Sequence, residues 1–244
     1  MKYKPGFYNS SLENHFKMII ELAKKSGILK NNIKITHIKF GFVLEANGQK
    51  IKTRSGNNEK LINLLNTAIK EAKNVISKKN RTNKKNINIR AKKLGINAIK
   101  YADLSNNILQ NYKFDIKNML NFNGNTAAFI TYAYARIMNI KKKIQKNNIN
   151  NYNSKLKLTN KAEINLCIHI IQYEEIINKT ILTLNPNILT NYIYILAKKF
   201  HLFFHTCKIL NCEFQNNRII ICEVCRKIIK QSLKLLGLKT LNEM

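Results

Sequence analysis

From about Thr159 onward the apolar residues recur at helical spacing: Ile164, Leu166, Ile168, Ile171 and Ile176, then a run from Leu189 to Phe204, then Ile219 to Leu236. Three amphipathic stripes in succession can bury their faces only against one another, which predicts a small helical bundle for the C-terminal third. Pro186 is placed to start the middle helix and Gly237 to end the last, because proline is tolerated at a helix's first turn and glycine is favoured just past its end.

The first third reads differently. Asn14 to Lys25 carries Phe16, Ile19, Ile20 and Ala23 at helical spacing with Gly27 behind it, so a capped helix is expected. Ile33 to Phe40 then alternates apolar and polar residues, and Phe42 to Leu44 resumes the alternation before the turn signal Asn47-Gly48. That period of two predicts strand, and the stripe Leu61, Leu64, Leu65, Ala68, Ile69, Ala72 and Val75 between Glu59 and Ser77 predicts a second helix. Two stretches, Ser77 to Lys93 and Lys141 to Leu156, are dense in Lys, Arg and Asn and poor in large apolar residues. They read as exposed basic linkers.

Charge narrows the partner. Against 43 Lys+Arg stand 13 Asp+Glu, a formal net charge of +30. Such a field attracts a polyanion, and nucleic acid is the expected partner; a surface enriched in lysine by coding bias, without a ligand, is the alternative. No apolar run reaches the ~20 residues of a membrane-spanning helix, and Met1 to Tyr8 lacks the apolar segment of a secretory signal. Five cysteines, an odd number, do not form a disulfide framework. A reducing compartment is expected: the cytoplasm, or the matrix or stroma of an organelle.

Several constellations bear on chemistry. Gly48 to Gly56 interleaves Lys50, Lys52 and Arg54 with Thr53 and Ser55 between a strand and a helix, a composition that can cradle a triphosphate or simply form a solvated loop. It lacks the glycine frame of a Walker loop. Tyr132 and Arg136 lie four apart on an expected helix, so they can face one ligand or form a packing pair. Phe200, Phe203 and Phe204 are assigned to the core. His201 and His205 have a metal-capable spacing but no third ligand. Cys222 and Cys225, with Cys207 and Cys212 upstream, invite a zinc reading, but Cys222 sits in an apolar stripe, and core thiols are the reading preferred. No bound metal is expected.

The segment His37-Ile38-Lys39-Phe40-Gly41, followed by Gly48-Gln49-Lys50-Ile51-Lys52-Thr53-Arg54-Ser55-Gly56, resembles the part of arginyl-tRNA synthetases that carries their degenerate class I Lys-Met-Ser-Lys-Ser loop. Leu94 to Leu104 is similar to that family's segment joining its catalytic and tRNA-binding parts. Met119 to Ile137, with its Gly-Asn-Thr-Ala and Tyr-Ala-x-Ala-Arg cores, looks like the start of its anticodon-binding domain. Asn165 to Glu175, Pro186 to Phe204, Arg218 and the ending from Leu235 to Met244 also fit.

The resemblance implies a mainly α chain, with an α/β remnant of a class I nucleotide-binding (Rossmann-like) domain followed by an all-α DALR-type anticodon-binding bundle. It implies a catalytic part at 1–78, a basic linker and connecting helical segment at 79–120, and the anticodon-binding domain at 121–244. Lys50, Lys52, Thr53, Arg54, Ser55 and Gly56 would form the loop that closes on ATP, while His37, Ile38, Phe40 and Gly41 line the adenine side. Asn125, Tyr132 and Arg136 would contact tRNA. The implied substrates are ATP with Mg²⁺, arginine and its tRNA.

The resemblance starts in the family's second half. The His-Ile-Gly-His signature of the first half does not occur between Met1 and Met244, and Leu12 stands where the family has a substrate-contacting glutamine. The expectation is therefore an arginine-tRNA ligase fragment, with one chain of a split synthetase or a non-catalytic RNA-binding module as alternatives.

Overall fold

The computed structural model describes residues 6–9, 13–30, 32–44, 48, 61–79, 86–146 and 157–243. These form two compact units, one from residues 1–58 with 106–114 and the other from 59–105 with 115–244.

The first unit is built on a parallel βαβ turn of chain. Strand β1 (Gly6–Asn9) leads into α1 (Glu13–Lys25), and β2 (His37–Phe40) returns parallel to β1 in the register Gly6 to His37 through Asn9 to Phe40. Parallel strands require such a crossover, and a helix is its usual form. Glu13 in the first turn of α1 and Lys24 and Lys25 in the last complement the helix dipole. Beyond β2, β3 (Val43–Leu44) pairs in parallel with β4 (Tyr112–Lys113). The alternation from Ile33 predicts a longer strand than the four residues that form the ladder. Strand length is set by the partner, and β1 offers four residues, a long-range property absent from the local pattern.

The second unit is helical: α2 (Leu61–Lys79), α3 (Ile87–Ser105), the short α4 (Ile116–Met119), α5 (Ala127–Lys146), α6 (Lys161–Ile171), α7 (Tyr173–Thr183), α8 (Asn187–Thr206) and α9 (Gln215–Leu235). Its core includes Ile130, Ile137, Leu166, Ile193, Leu196, Phe200, Phe203 and Ile229, each at most 1% exposed. Cys207, Cys222 and Cys225 are buried in the same core. Burial pushes the Cys222 thiol up to about 12, so it packs as a neutral apolar group.

The basic stretch 77–93 corrects the loop expectation. The second helix continues through Lys79 and the third begins at Ile87, so only residues 80–85 lie outside the described ones. Helices α2 and α3 pack together, and Ala68 and Ala72 on the first and Ala91, Gly95 and Ala98 on the second are all buried. Small residues build this interface, so the chain can lose its large apolar side chains and still present a packing face. A Cβ on Gly95 would come within 2.7 Å of the Ile69 backbone nitrogen and 2.8 Å of the Ala68 carbonyl. Alanine at position 95 would add about 1 kcal/mol of helix propensity but force two helix backbones apart. We expect Gly95→Ala to be net destabilising by about 1–3 kcal/mol in urea unfolding, and unchanged or raised stability would refute the close packing.

The stripe from Ile164 to Ile176 likewise divides into α6 and α7 at Gln172. The Tyr192 hydroxyl donates to the His169 carbonyl at 2.9 Å, engaging an acceptor that a continuing helix would offer to residue 173. The His169 Nε2 reaches the Tyr192 carbonyl at 3.1 Å, the two rings stack at 4.3 Å, and burial lowers the imidazole pKa.

An ion pair joins α6 to α9. Glu163, 1% exposed, accepts from Arg218 Nε at 2.5 Å and from the backbone N–H groups of Thr159 and Asn160 at 2.8 and 3.0 Å. Asn160 completes a capping box at the start of α6. The Arg218 Nη1 donates to the Lys208 carbonyl at 2.9 Å. Burial opposes ionisation of Glu163, but the Thr159 N–H and the Arg218 guanidinium outweigh it and hold the carboxyl below its ordinary range.

Gly237 ends α9 in the left-handed region at φ +69°. Its N–H reaches the Lys234 carbonyl at 3.0 Å, and the Leu238 N–H reaches the Leu233 carbonyl at 2.8 Å. This pair of bonds is a Schellman motif, sealed by the buried side chains of Leu233 and Leu238.

Candidate nucleic-acid interface

Helix α5 begins where Thr126 caps it: the Thr126 hydroxyl accepts from the Phe129 N–H at 3.2 Å and donates to the Asn121 carbonyl at 2.5 Å. One face of α5 is then buried through Ile130, Ala133, Tyr134 and Ile137. Tyr132 and Arg136 fall one turn apart on a half-buried stripe beside it.

Arg136 is the centre of a cluster formed with α8. Its Nη2 donates to the Tyr132 hydroxyl at 2.7 Å, while Nη1 lies 3.2 Å from His201 Nδ1 and 3.3 Å from His205 Nε2. A guanidinium has no acceptor, so both of these ring nitrogens must be unprotonated for the contacts to be hydrogen bonds. The guanidinium carbon sits 4.5 Å from the Phe204 ring centre and 4.8 Å from that of Tyr132. These are cation–π distances, and they help fix the orientation of the group.

Aromatic contacts extend the cluster on both sides. Tyr132 stacks on His201 at 5.7 Å and meets the edge of Phe122 at 5.9 Å; Phe129 touches His201 at 4.9 Å and Tyr194 at 5.5 Å. Lys198 Nζ stands 5.6 Å from the Tyr194 ring centre. Phe122, Phe129, Tyr132, Arg136, Tyr194, His201 and Phe204 are half-buried, and Lys198 and His205 are exposed. The result is a surface of partly open π faces with cations held among them.

The sequence placed Phe204 in the core, yet its ring is half-buried beneath the Arg136 guanidinium. The two histidines are hydrogen-bonding neighbours of that arginine. A signal for them was available: Tyr194, Lys198, His201 and His205 follow one another at spacings of four, three and four, which is a single helical stripe. Asn125 lies elsewhere. Its Oδ1 accepts from the Tyr101 hydroxyl at 2.6 Å and its Nδ2 donates to Asn191 Oδ1 at 2.9 Å, linking α3 to α8.

In the first unit, His37 and Lys39 project to one side of β2, where a cavity of about 480 Å³ is lined by Glu13, Lys17, Glu21 and Thr36 as well. Lys17 and Lys39 contact the Glu13 carboxylate at 2.8 and 2.6 Å and hold its pKa down at about 2. Ile38 is buried on the opposite side, and Phe40 is 39% exposed. Gly41 donates from its N–H to the Ile108 carbonyl at 2.8 Å, and a Cβ there would lie 2.3 Å from the Gln110 carbonyl oxygen. Only glycine permits that approach of two backbones. Lys50, Lys52, Thr53, Arg54, Ser55 and Gly56 lie outside the described residues, as does Leu12. Among the described residues no three His, Cys, Asp or Glu side chains are grouped to hold a metal, and no helix is long and apolar enough to cross a membrane.

Residues 6–116 match the family described as tRNA synthetases class I (R), catalytic domain, and residues 130–244 match the DALR anticodon binding domain. An arginine–tRNA ligase of Protochlamydia amoebophila is 44% identical over 236 residues, covering 94% of this chain and 40% of the relative. One from Buchnera aphidicola subsp. Schizaphis graminum is 40% identical over 246 residues, covering 98% and 42%. The crystal structure of arginyl-tRNA synthetase from Plasmodium falciparum superposes with a TM-score of 0.83 at 31% identity, over 99% of this chain and 41% of that one. The chain thus spans about two fifths of the length of the relatives it matches.

Proposed function

The chain belongs to the arginyl-tRNA synthetase family, as the C-terminal part of its catalytic domain followed by its DALR anticodon-binding domain, and we propose that it serves the ATP-dependent attachment of arginine to tRNA. The observation that carries this reading is the Arg136 cluster. An anticodon is single-stranded, so its bases can splay onto aromatic faces while cations hold the flanking phosphates. Tyr132, His201 and Phe129 supply the faces, and Arg136 and Lys198 the charge. In this reading Asn125 acts from behind, holding α8 at the correct distance from α3.

The catalytic contribution falls to residues 1–78, joined through 79–120 to the anticodon part at 121–244. Here Lys50, Lys52, Thr53, Arg54, Ser55 and Gly56 close over the ATP phosphates. His37 lines the adenine side from the cavity beside β2, and Ile38, Phe40 and Gly41 set the strand that carries it. Magnesium enters as the ATP complex. Groups that position arginine and the adenine from the other side come from the family's first half, supplied by a preceding segment or a second chain. The site of action is the cytoplasm, or the matrix or stroma of an organelle.

Equilibrium binding to an arginine-accepting tRNA transcript tests the reading. We expect a transcript with a replaced anticodon to bind at least about tenfold more weakly, the equivalent of about 1.4 kcal/mol. Equal binding of the two would refute anticodon reading by this face. A second reading, an RNA-binding module without catalysis, is favoured by the cluster's being complete within the helical unit. Arginine-dependent ATP–pyrophosphate exchange, measured with and without the family's first half, separates the two.

A further inference from the structure

A second basic feature lies in the helical unit, made by α3 and the chain after α9. A cavity of about 240 Å³ there is lined by Lys92, Lys93, Lys100 and Lys239, with Asn97, Gly237, Ile89 and Ile96, and, among the described residues, by no acidic side chain. Its volume is several times the ~30 Å³ share of one water in the liquid, enough for a phosphate group.

The arrangement is fixed by the backbone. Asn97, 2% exposed, donates from Nδ2 to the Lys239 carbonyl at 2.6 Å and accepts from the Lys239 N–H at 3.0 Å. This two-bond clamp sets Lys239 against α3 across 142 residues of sequence. Lys100 Nζ donates to the Gly237 carbonyl at 3.2 Å, on the shelf made by the left-handed turn. A buried amide is thus committed to bringing a fourth lysine to three others. Four lysines lining one cavity oppose one another electrostatically, and an anion entering it relieves that repulsion.

We propose that this cavity binds phosphate, as the backbone phosphates of a structured RNA or as free inorganic pyrophosphate. The ligand groups are the ammonium ions of Lys92, Lys93 and Lys239, with Lys100 held at the rim by the Gly237 carbonyl. The site is separate from the Arg136 cluster in its residues, and it stands whether or not that cluster reads an anticodon.

The experiment uses the full chain. Lys92→Gln, Lys93→Gln and Lys239→Gln are combined and compared with a control of equal charge change, Lys179→Gln, Lys227→Gln and Lys230→Gln. Binding of an unmodified tRNA transcript is measured against salt, and binding of inorganic pyrophosphate is followed by phosphorus NMR. If RNA is the source, the test variant's slope of log affinity against log salt falls by roughly 2, at about 0.7–0.9 per phosphate contact, while the control's does not. If pyrophosphate is the source, its binding weakens in the test variant alone and the slope is kept. Either result supports the site. Unchanged binding of both probes, or equal losses in test and control, would overturn it.

Discussion

Replacing Glu163 with Gln is expected to lower the stability of the helical unit by about 3–5 kcal/mol, the penalty of leaving a buried charge without its partner. The Arg218 guanidinium would remain among the Lys208 carbonyl, Phe214 and Cys212, with no anion. Gln keeps one acceptor oxygen, which can serve either the Thr159 and Asn160 N–H groups of the capping box or Arg218, but not both as the carboxylate does. For a unit of this size, 1 kcal/mol corresponds to roughly 2–4 °C in melting temperature, so thermal unfolding monitored by circular dichroism would shift by roughly 10 °C. A shift under about 2 °C would show that the pair does not hold α6 to α9. Replacing both partners with apolar residues is expected to recover much of the loss.

The same carboxylate gives a pH dependence of fixed sign. The folded-state pKa of Glu163 lies below its unfolded value. Its contribution is therefore complete above the unfolded carboxylate range, near 4.3, and is lost as pH falls through the lowered folded value. The helical unit should lose stability on acidification below that range, and in the Gln variant this portion of the acid sensitivity should disappear.

The second large effect concerns Arg136. Arg136→Ala removes a cation lying between the Phe204 and Tyr132 rings and leaves the Tyr132 hydroxyl and two imidazoles without their shared donor. A hydrogen bond to a charged group contributes about 1.5–3 kcal/mol, so tRNA affinity is expected to fall by about 10- to 100-fold, measured by filter binding. Arg136→Lys should recover little, since an ammonium cannot present the planar fork that reaches Tyr132, His201 and His205 together. Folding should survive in both variants because the site is half-buried. Undiminished tRNA binding by the Ala variant would remove the cluster from the interface.

The elements legible in the sequence were those whose signal is local. Gly27 and Gly237 marked real helix ends because a left-handed cap is chemistry within a few residues. The stripes of α8 and α9 were visible because bulky apolar side chains carry them. What stayed hidden depends on distant partners. The close approach of α2 and α3 is made at Ala68 and Gly95, residues that carry little hydrophobic signal, and the break between α6 and α7 coincides with the bond of the Tyr192 hydroxyl to the His169 carbonyl 23 residues away. At the site, Tyr132 and Arg136 were legible as a pair, but the neighbours that orient them come from α8, 65 residues on. His205, Lys198 and Tyr194 share a stripe that could have been read with them, whereas nothing local indicates that Asn97 clamps the chain at Lys239.

The pairing of β3 with β4 makes the first unit discontinuous, since Phe42 bonds to Asn111 from 69 residues away with α2 and α3 between them. During synthesis the strand at Val43–Leu44 therefore emerges well before its partner exists. Two helices that associate locally, before the strands meet, draw the ends of that long segment together and reduce the entropy lost when the ladder closes. The helix pair thus has a role in time as well as in space, because its early association would shorten the loop that the pairing of β3 with β4 must close.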